Sequence, residues 1–253
     1  MNWRYHVGRT FAELHTWLLS RSWCPLTNAV PYGHDWAYDL ARFARRRDLR
    51  TIVDAGANVG QTARHCRRFF PRATIHCFEP VPETVARLQH AVAHDSAIHV
   101  HPLALSDRTG SACLAFGRDS ELARIVESPS DRGCTVTTDT LDRFAQSAGL
   151  EQIDLLKIDV EGHELAVLSG ASELLAARCI RAIYVEAGFE TSDPLHTYFP
   201  DLHAVLERHG FFCAGLYEPW RYPDARYRIG FANFLYWNPA AGGTDPMPPN
   251  SQR

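Results

Sequence analysis

Thr51-Ile-Val-Asp54-Ala-Gly56-Ala-Asn58-Val-Gly60 is a short apolar run that empties into a glycine-containing turn. Its β-branched residues read as a buried strand. The stretch Gln61–Phe70 behind it reads as a helix. Glycines between strand and helix let the backbone approach a ligand, and the first N–H groups of a helix lack intrahelical partners. Such donors suit a carboxylate as well as a phosphate. Asp54 brings a negative charge to the strand end, which opposes a pyrophosphate and attracts an ammonium. A ligand with an amino-acid moiety, carrying both charges, therefore fits better than a dinucleotide. The dinucleotide fingerprint GxGxxG is also broken, because Asn58 stands where its second glycine belongs.

Outward from this turn the chain alternates between strand and helix patterns. Ala73–Phe78 is a second predicted strand, Glu83–Ala93 a helix behind Pro82, and Ala97–Leu105 a third strand. Repeated units of this length predict a parallel sheet with right-handed crossovers. Residues 107–138 interrupt the rhythm, with Ala112–Phe116 and Cys134–Thr138 expected to pair antiparallel. Helices are predicted at Leu141–Ala148, Glu164–Ser169, Ser172–Ala177 and Leu202–His209. Asp154–Asp159 is a strongly apolar strand, expected beside the first, and Ala182–Glu186 is another buried strand. Phe211–Tyr217 and Phe231–Trp237 follow with no helix between them, which predicts an antiparallel edge. Upstream, Thr10–Ser20 and Asp35–Arg46 look helical. Residues 1–49 are read as a helical extension or cap, 50–238 as one α/β domain, and 239–253 as a disordered tail.

The bulk properties narrow the function classes. The 253 residues carry a formal net charge of −3, which gives no electrostatic footprint for nucleic acid. Arg45-Arg46-Arg47 reads as a solvated helix end. The seven cysteines are odd in number and form no CxxC pair, which argues against a disulfide framework or a zinc site. Arg9, Glu13, His15 and Arg21 break the apolar N-terminal stretch, so neither a signal peptide nor a membrane span fits. The expectation is a cytoplasmic enzyme acting on a small molecule, with no nucleic-acid or membrane partner and its oligomeric state open.

Two further stretches carry chemistry. Phe78-Glu79-Pro80 closes the second strand, and Glu79 lies 25 residues after Asp54. An acidic side chain there can accept hydrogen bonds from both ribose hydroxyls; the plainer reading is a solvated strand-end carboxylate. Leu155-Leu-Lys157-Ile-Asp159-Val-Glu161-Gly162-His163-Glu164 brings three acids and a histidine to the end of a strand at the switch point of the sheet. Asp159 and Glu161 are expected to shape the site. His163 is the candidate general base, with Glu161 or Glu186 as the runner-up. Glu161 and Glu164 capping the next helix is the alternative. A divalent ion on Asp159, Glu161 and Glu186 is a less favoured reading, and no residue is assigned as a metal ligand. Trp17, Trp23, Trp36, Phe189, Tyr198, Tyr217 and Trp220 either line an acceptor pocket or belong to the core.

Taken together, VDAGANVG (Val53–Gly60), FEP (Phe78–Pro80), ALSD (Ala104–Asp107), TLD (Thr140–Asp142) and LLKIDVEGHELAVLSGA (Leu155–Ala171) resemble the FkbM family of methyltransferases, in order and spacing, from about residue 50 to about residue 237. The resemblance implies a class I methyltransferase fold: Rossmann-like α/β, with a seven-stranded, mostly parallel sheet, one antiparallel strand near the C-terminus and helices on both faces. It implies S-adenosylmethionine as methyl donor and a hydroxyl acceptor on a natural product or sugar. It further implies that Asp54, Gly56, Asn58 and Gly60 hold the methionine half, Glu79 the ribose, and Ala104 and Leu105 the adenine edge. Ala57, Pro80 and Asp159 complete the expected cofactor-binding set. Residues 1–47 and 187–230 match no family motif, which leaves the acceptor unspecified. A nicotinamide-dependent oxidoreductase is disfavoured by the missing middle glycine and the DVEGHE turn. A non-catalytic nucleoside-binding module is disfavoured by the intact turn and ribose acid.

Overall fold

The structure, a computed structural model, describes residues 31–44, 49–116, 123–126, 133–222 and 227–241. The predicted helix Thr10–Ser20, the Arg45–Arg47 run and residues 242–253 lie outside them. The first described helix, α1 (Trp36–Phe43), starts at Asp35, whose carboxylate accepts the Tyr38 N–H. β1 (Thr51–Ala55) and α2 (Gln61–Phe69) flank the glycine turn. β2 (Thr74–Phe78), α3 (Pro82–Val92) and β3 (Ile98–His101) repeat the unit, with Pro82 in the first helical turn, where its missing N–H is harmless.

The predicted strand Ala97–Leu105 is divided. Pro102 has no N–H for a ladder, so β3 stops at His101, and β4 (Ala104–Leu105) joins a second sheet. That sheet continues with β5 (Gly110–Phe116), β6 (Ala123–Val126) and β7 (Gly133–Asp139), in the order β4-β7-β5-β6. The expected antiparallel pairing is present, with Ala112 opposite Val136; β6 was not anticipated.

Thr140 then caps α4 (Leu141–Ala148) through its hydroxyl. β8 (Ile153–Ile158) is buried along its whole length, as a central parallel strand is on both faces. α5 (Glu164–Ser169), α6 (Ser172–Ala176), β9 (Ile180–Gly188), α7 (Phe199–Arg208), β10 (Phe212–Arg221) and β11 (Ile229–Trp237) follow. The main sheet has seven strands in the order β10-β11-β9-β8-β1-β2-β3. Only β11 runs against its neighbours, pairing antiparallel with β9 and β10.

Alternation along the strands splits the core in two. Ile52, Ile75, Leu155, Tyr184 and Leu235 pack under α1 to α3. Val53, Phe78, Leu156, Ile183 and Phe234 pack under α4 to α7. Helices on opposite faces leave a crevice at the carboxyl ends of β1 and β8. Trp36 stacks on Tyr184 with ring centres 4.3 Å apart, and the Tyr217 hydroxyl donates to Asp39 at 2.8 Å, so α1 is bound to the sheet. The six described cysteines are unpaired, and no described helix is long and apolar enough to cross a membrane.

Candidate active site

A lysine organises the floor of the crevice. Lys157 lies opposite Asp54 in the β1–β8 register. Its Nζ stands 3.2 Å from Asp54 and 3.4 Å from Asp159, and donates to the Gly56 carbonyl at 2.7 Å. One ammonium thus ties the strand, the glycine turn and the acidic turn together. Burial opposes its charge, but the two carboxylates outweigh burial and hold Lys157 above its ordinary range. Asp54 is wholly buried and neither of its oxygens accepts a hydrogen bond. Lys157 meets it as an ion pair.

This arrangement changes the reading of the glycine turn. Asp54 sits behind the cleft lining, its charge opposed by Lys157 rather than open to a ligand ammonium. The Gly56 and Ala57 N–H groups donate to the Phe78 carbonyl at 3.0 and 2.9 Å. The Asn58 N–H donates to Glu79 at 3.0 Å, and that of Gly60 to the Ala57 carbonyl at 2.8 Å. Three of these donors fasten the turn to the end of β2, and the fourth closes the turn on itself. Gly56 has φ of +76°, and a Cβ there would lie 1.9 Å from the Asp159 carbonyl oxygen. Only glycine lets the two turns approach so closely. Of the turn residues, Gly56 and Asn58 line the cleft, whereas Asp54, Ala57 and Gly60 stand behind its lining.

The cleft encloses about 760 Å³ of space, a figure that includes its open mouth. Phe78, Val81 and Leu105 form an apolar wall, which Leu114 and Ile125 of the second sheet complete; Pro80 and Ala104 also line it. Glu79, 7% exposed, accepts the Asn58 N–H on one oxygen and the Val81 N–H on the other, each at 3.0 Å. Burial pushes its pKa up and the two backbone bonds pull it back. Each oxygen keeps a lone pair for a further donor. An apolar wall beside a carboxylate with free lone pairs can take a flat apolar ring together with a group that presents hydroxyl donors.

Asp159, Glu161 and His163 line the polar end. The turn that carries them is pinned by Glu164, which is buried. One Glu164 oxygen accepts the Val160 and Gly162 N–H groups, and the other accepts the Thr197 N–H and hydroxyl. Glu164 therefore clamps the turn to the loop after β9. Burial, then the charges of Asp159 and Glu186, push Glu161 up to about 7. The raised folded-state pKa means that Glu161 favours folding as the neutral acid. That contribution is complete below its ordinary value of 4.5 and is lost as pH rises through about 7. Glu161→Gln should therefore match the wild type in thermal stability at pH 4 and exceed it at pH 8. An equal offset at both pH values would contradict this environment for Glu161.

Glu186 does not line the cleft. It lies 3.2 Å from His196 Nε2, and Asp193 lies 2.8 Å from His196 Nδ1. Burial opposes the charge of His196, but these two carboxylates raise it to about 9. Asp159, Glu161 and Glu186 consequently do not converge as a metal donor set, and no described group of three or more His, Cys, Asp or Glu side chains does. His196 stacks on Phe231 at 4.2 Å, and Phe231 on Trp220 at 5.3 Å. Trp36 and Tyr217 belong to the core, while Trp220 is 40% exposed.

Sequence reading missed Lys157, although a lysine inside the apolar run Leu155–Ile158 is itself a signal. It also missed Ser106, whose Oγ lies 2.9 Å from His163 Nε2. A lone serine carries no such signal.

The Methyltransferase FkbM domain family model matches residues 54–213. Methyltransferase sdnD of Sordaria araneosa is 30% identical over 211 residues, covering 70% of this chain and 78% of that protein. The 2-O-methyltransferase NoeI of Sinorhizobium fredii is 31% identical over 152 residues, covering 53% of this chain and 62% of its own length. The 31-O-demethyl-FK506 methyltransferase FkbM of Streptomyces tacrolimicus is 28% identical over 200 residues, covering 66% of this chain and 75% of that one. The family match, on the α/β fold described above, defines a class I methyltransferase that uses S-adenosylmethionine. Within that class, the chain belongs to the FkbM methyltransferase family.

Proposed function

We propose that the protein methylates a hydroxyl oxygen of a small-molecule acceptor, a natural product or a sugar, with His163 as the base. The observation that carries this is a single cleft lined by both the half-engaged Glu79 carboxylate and the His163 imidazole. Relatives whose names specify 2-O and 31-O transfer support oxygen as the acceptor atom. In this reading Glu79 receives the ribose hydroxyls, Ala104 and Leu105 border the adenine, and Gly56, Asn58 and Asp159 adjoin the methionine half. S-adenosylmethionine supplies a methyl group on a sulfonium, whose sulfur leaves neutral. The protein's part is to hold the acceptor oxygen in line with that methyl and to take its proton. Positioning of this kind supplies roughly 7–11 kcal/mol in favourable cases.

Burial lowers the pKa of His163, so the ring is neutral and able to accept a proton at neutral pH. Glu161, pushed up to about 7, is the second candidate. Glu186 is committed to His196.

Calorimetric titration with S-adenosylhomocysteine, with NAD as control, tests the donor. Transfer of labelled methyl to a panel of hydroxylated acceptors tests the reaction. Binding of S-adenosylhomocysteine without transfer to any acceptor would favour a non-catalytic module. His163→Ala should lower turnover about 10²–10⁴-fold with S-adenosylhomocysteine affinity within about twofold of wild type. A collapse of that affinity would instead make His163 part of the donor site.

A further inference from the structure

We propose that Ser106 and Asp107 are positioning residues that fix the tautomer of His163, with the proton on Nε2 and the lone pair on Nδ1. The inference deepens the reading of His163 as base and rests on that reading only for its consequence in turnover.

Ser106 Oγ lies 2.9 Å from His163 Nε2 and 3.1 Å from Asp107 Oδ1. A serine hydroxyl has one proton to give, and a carboxylate can only accept. With both contacts made, the hydroxyl donates to Asp107 and accepts from His163. Nε2 therefore carries the ring proton. Nδ1 has no hydrogen-bond partner among the described residues, and the ring makes no capping bond to the helix that His163 begins. The free lone pair thus belongs to a ring that lines the cleft.

Ser106 is built to hold this position. It is 5% exposed, and its N–H donates to the Asp139 carbonyl at 2.9 Å. A Cβ on Gly170, which closes α5, would lie 2.0 Å from the Ser106 carbonyl oxygen. Asp139 in turn accepts from Thr109 at 2.8 Å and Arg143 at 2.9 Å. Ser106 of the ALSD stretch thus meets His163 and Gly170 of the GHELAVLSGA stretch, and its N–H bonds Asp139, the residue before TLD. The charges facing the ring are Asp107, which favours the imidazolium, and Arg108, which opposes it. During transfer the acceptor O–H bond breaks and its proton goes to Nδ1. The O–CH₃ bond forms, the S–CH₃ bond breaks, and the bonding pair stays on the neutral sulfur. The proton already on Nε2 keeps its bond to Ser106 throughout.

The test needs no acceptor. Long-range ¹H–¹⁵N spectra of the full chain with ¹⁵N-labelled histidine, saturated with S-adenosylhomocysteine, report the protonated nitrogen, and His163→Gln identifies the ring. The expected result is one neutral tautomer with Nε2 protonated. Ser106→Ala should move both nitrogen shifts toward the averaged values of an unrestrained imidazole, and Ser106→Thr should restore them. Asp107→Asn, at a half-exposed position, should also release the constraint, because an amide both donates and accepts; it covers the case in which Ser106→Ala fails to fold. A wild-type Nδ1–H tautomer, or folded Ser106→Ala and Asp107→Asn with wild-type shifts, would overturn the proposal. Once an acceptor is known, Ser106→Ala should lower kcat roughly 10- to 100-fold, less than loss of the base, with KM little changed and Ser106→Thr active. Full activity in His163→Gln would remove His163 as base and leave the tautomer assignment standing.

Discussion

Lys157→Met is expected to remove about 3–5 kcal/mol of folding stability, the usual cost of leaving a buried charge without its partner. Methionine fills much of the same volume without strain, so the loss reports on electrostatics. Asp54 would keep its place with no exposure and no hydrogen bond, and the Gly56 carbonyl would lose its donor. Denaturant unfolding should show a lower midpoint with an unchanged slope. Substituting both partners separates the ion pair from packing. Lys157→Met with Asp54→Leu should recover most of the loss, because replacing a whole buried pair by apolar groups is often neutral. A single substitution costing under about 1 kcal/mol would mean that the pair behaves like a surface one. Equal losses in the single and double variants would place the effect in packing. The same ammonium touches Asp159, so Lys157→Met should also weaken S-adenosylhomocysteine binding through movement of the acidic turn.

The main sheet was legible because its signals are local. Apolar runs such as Leu155–Ile158 bury on both faces, and two late strands without an intervening helix form the antiparallel edge that this pattern predicts. What escaped depends on register and on loops. Asp54 has the composition of a ligand-facing strand end, but the β1–β8 register sets it against Lys157. The glycine turn was correctly placed, yet its N–H groups answer to the Phe78 carbonyl and Glu79, carried by another strand. Glu186 was a fair candidate for a base until the loop after β9 brought His196 onto it. β6 was invisible because its four residues form a strand only by pairing with β5. Glu79 and the Asp159–His163 turn were readable because each ends a strand at the switch point, where position alone brings a side chain to the crevice.

Glu79→Gln is expected to weaken S-adenosylhomocysteine binding by about 10- to 100-fold, close to the loss of one charge-assisted hydrogen bond at roughly 1.5–3 kcal/mol. The amide is preferable to alanine, because it keeps one acceptor oxygen for the Asn58 or Val81 N–H and loses only the other bond, whereas alanine would orphan both N–H groups that Glu79 now satisfies. Those N–H groups belong to the turn and the wall of the cleft, so an affinity loss alone cannot separate ribose recognition from scaffolding. Adenosine and 2′,3′-dideoxyadenosine make the separation. If Glu79 receives the two hydroxyls, the wild type should prefer adenosine, and Glu79→Gln should shrink that preference by most of the affinity it loses. If the substitution weakens both nucleosides equally, Glu79 acts only by holding Asn58 and Val81, and the ribose is recognised elsewhere. The present geometry favours the first result. A carboxylate serving the scaffold alone has no need to face the cleft, yet Glu79 lines it and keeps one lone pair free on each oxygen.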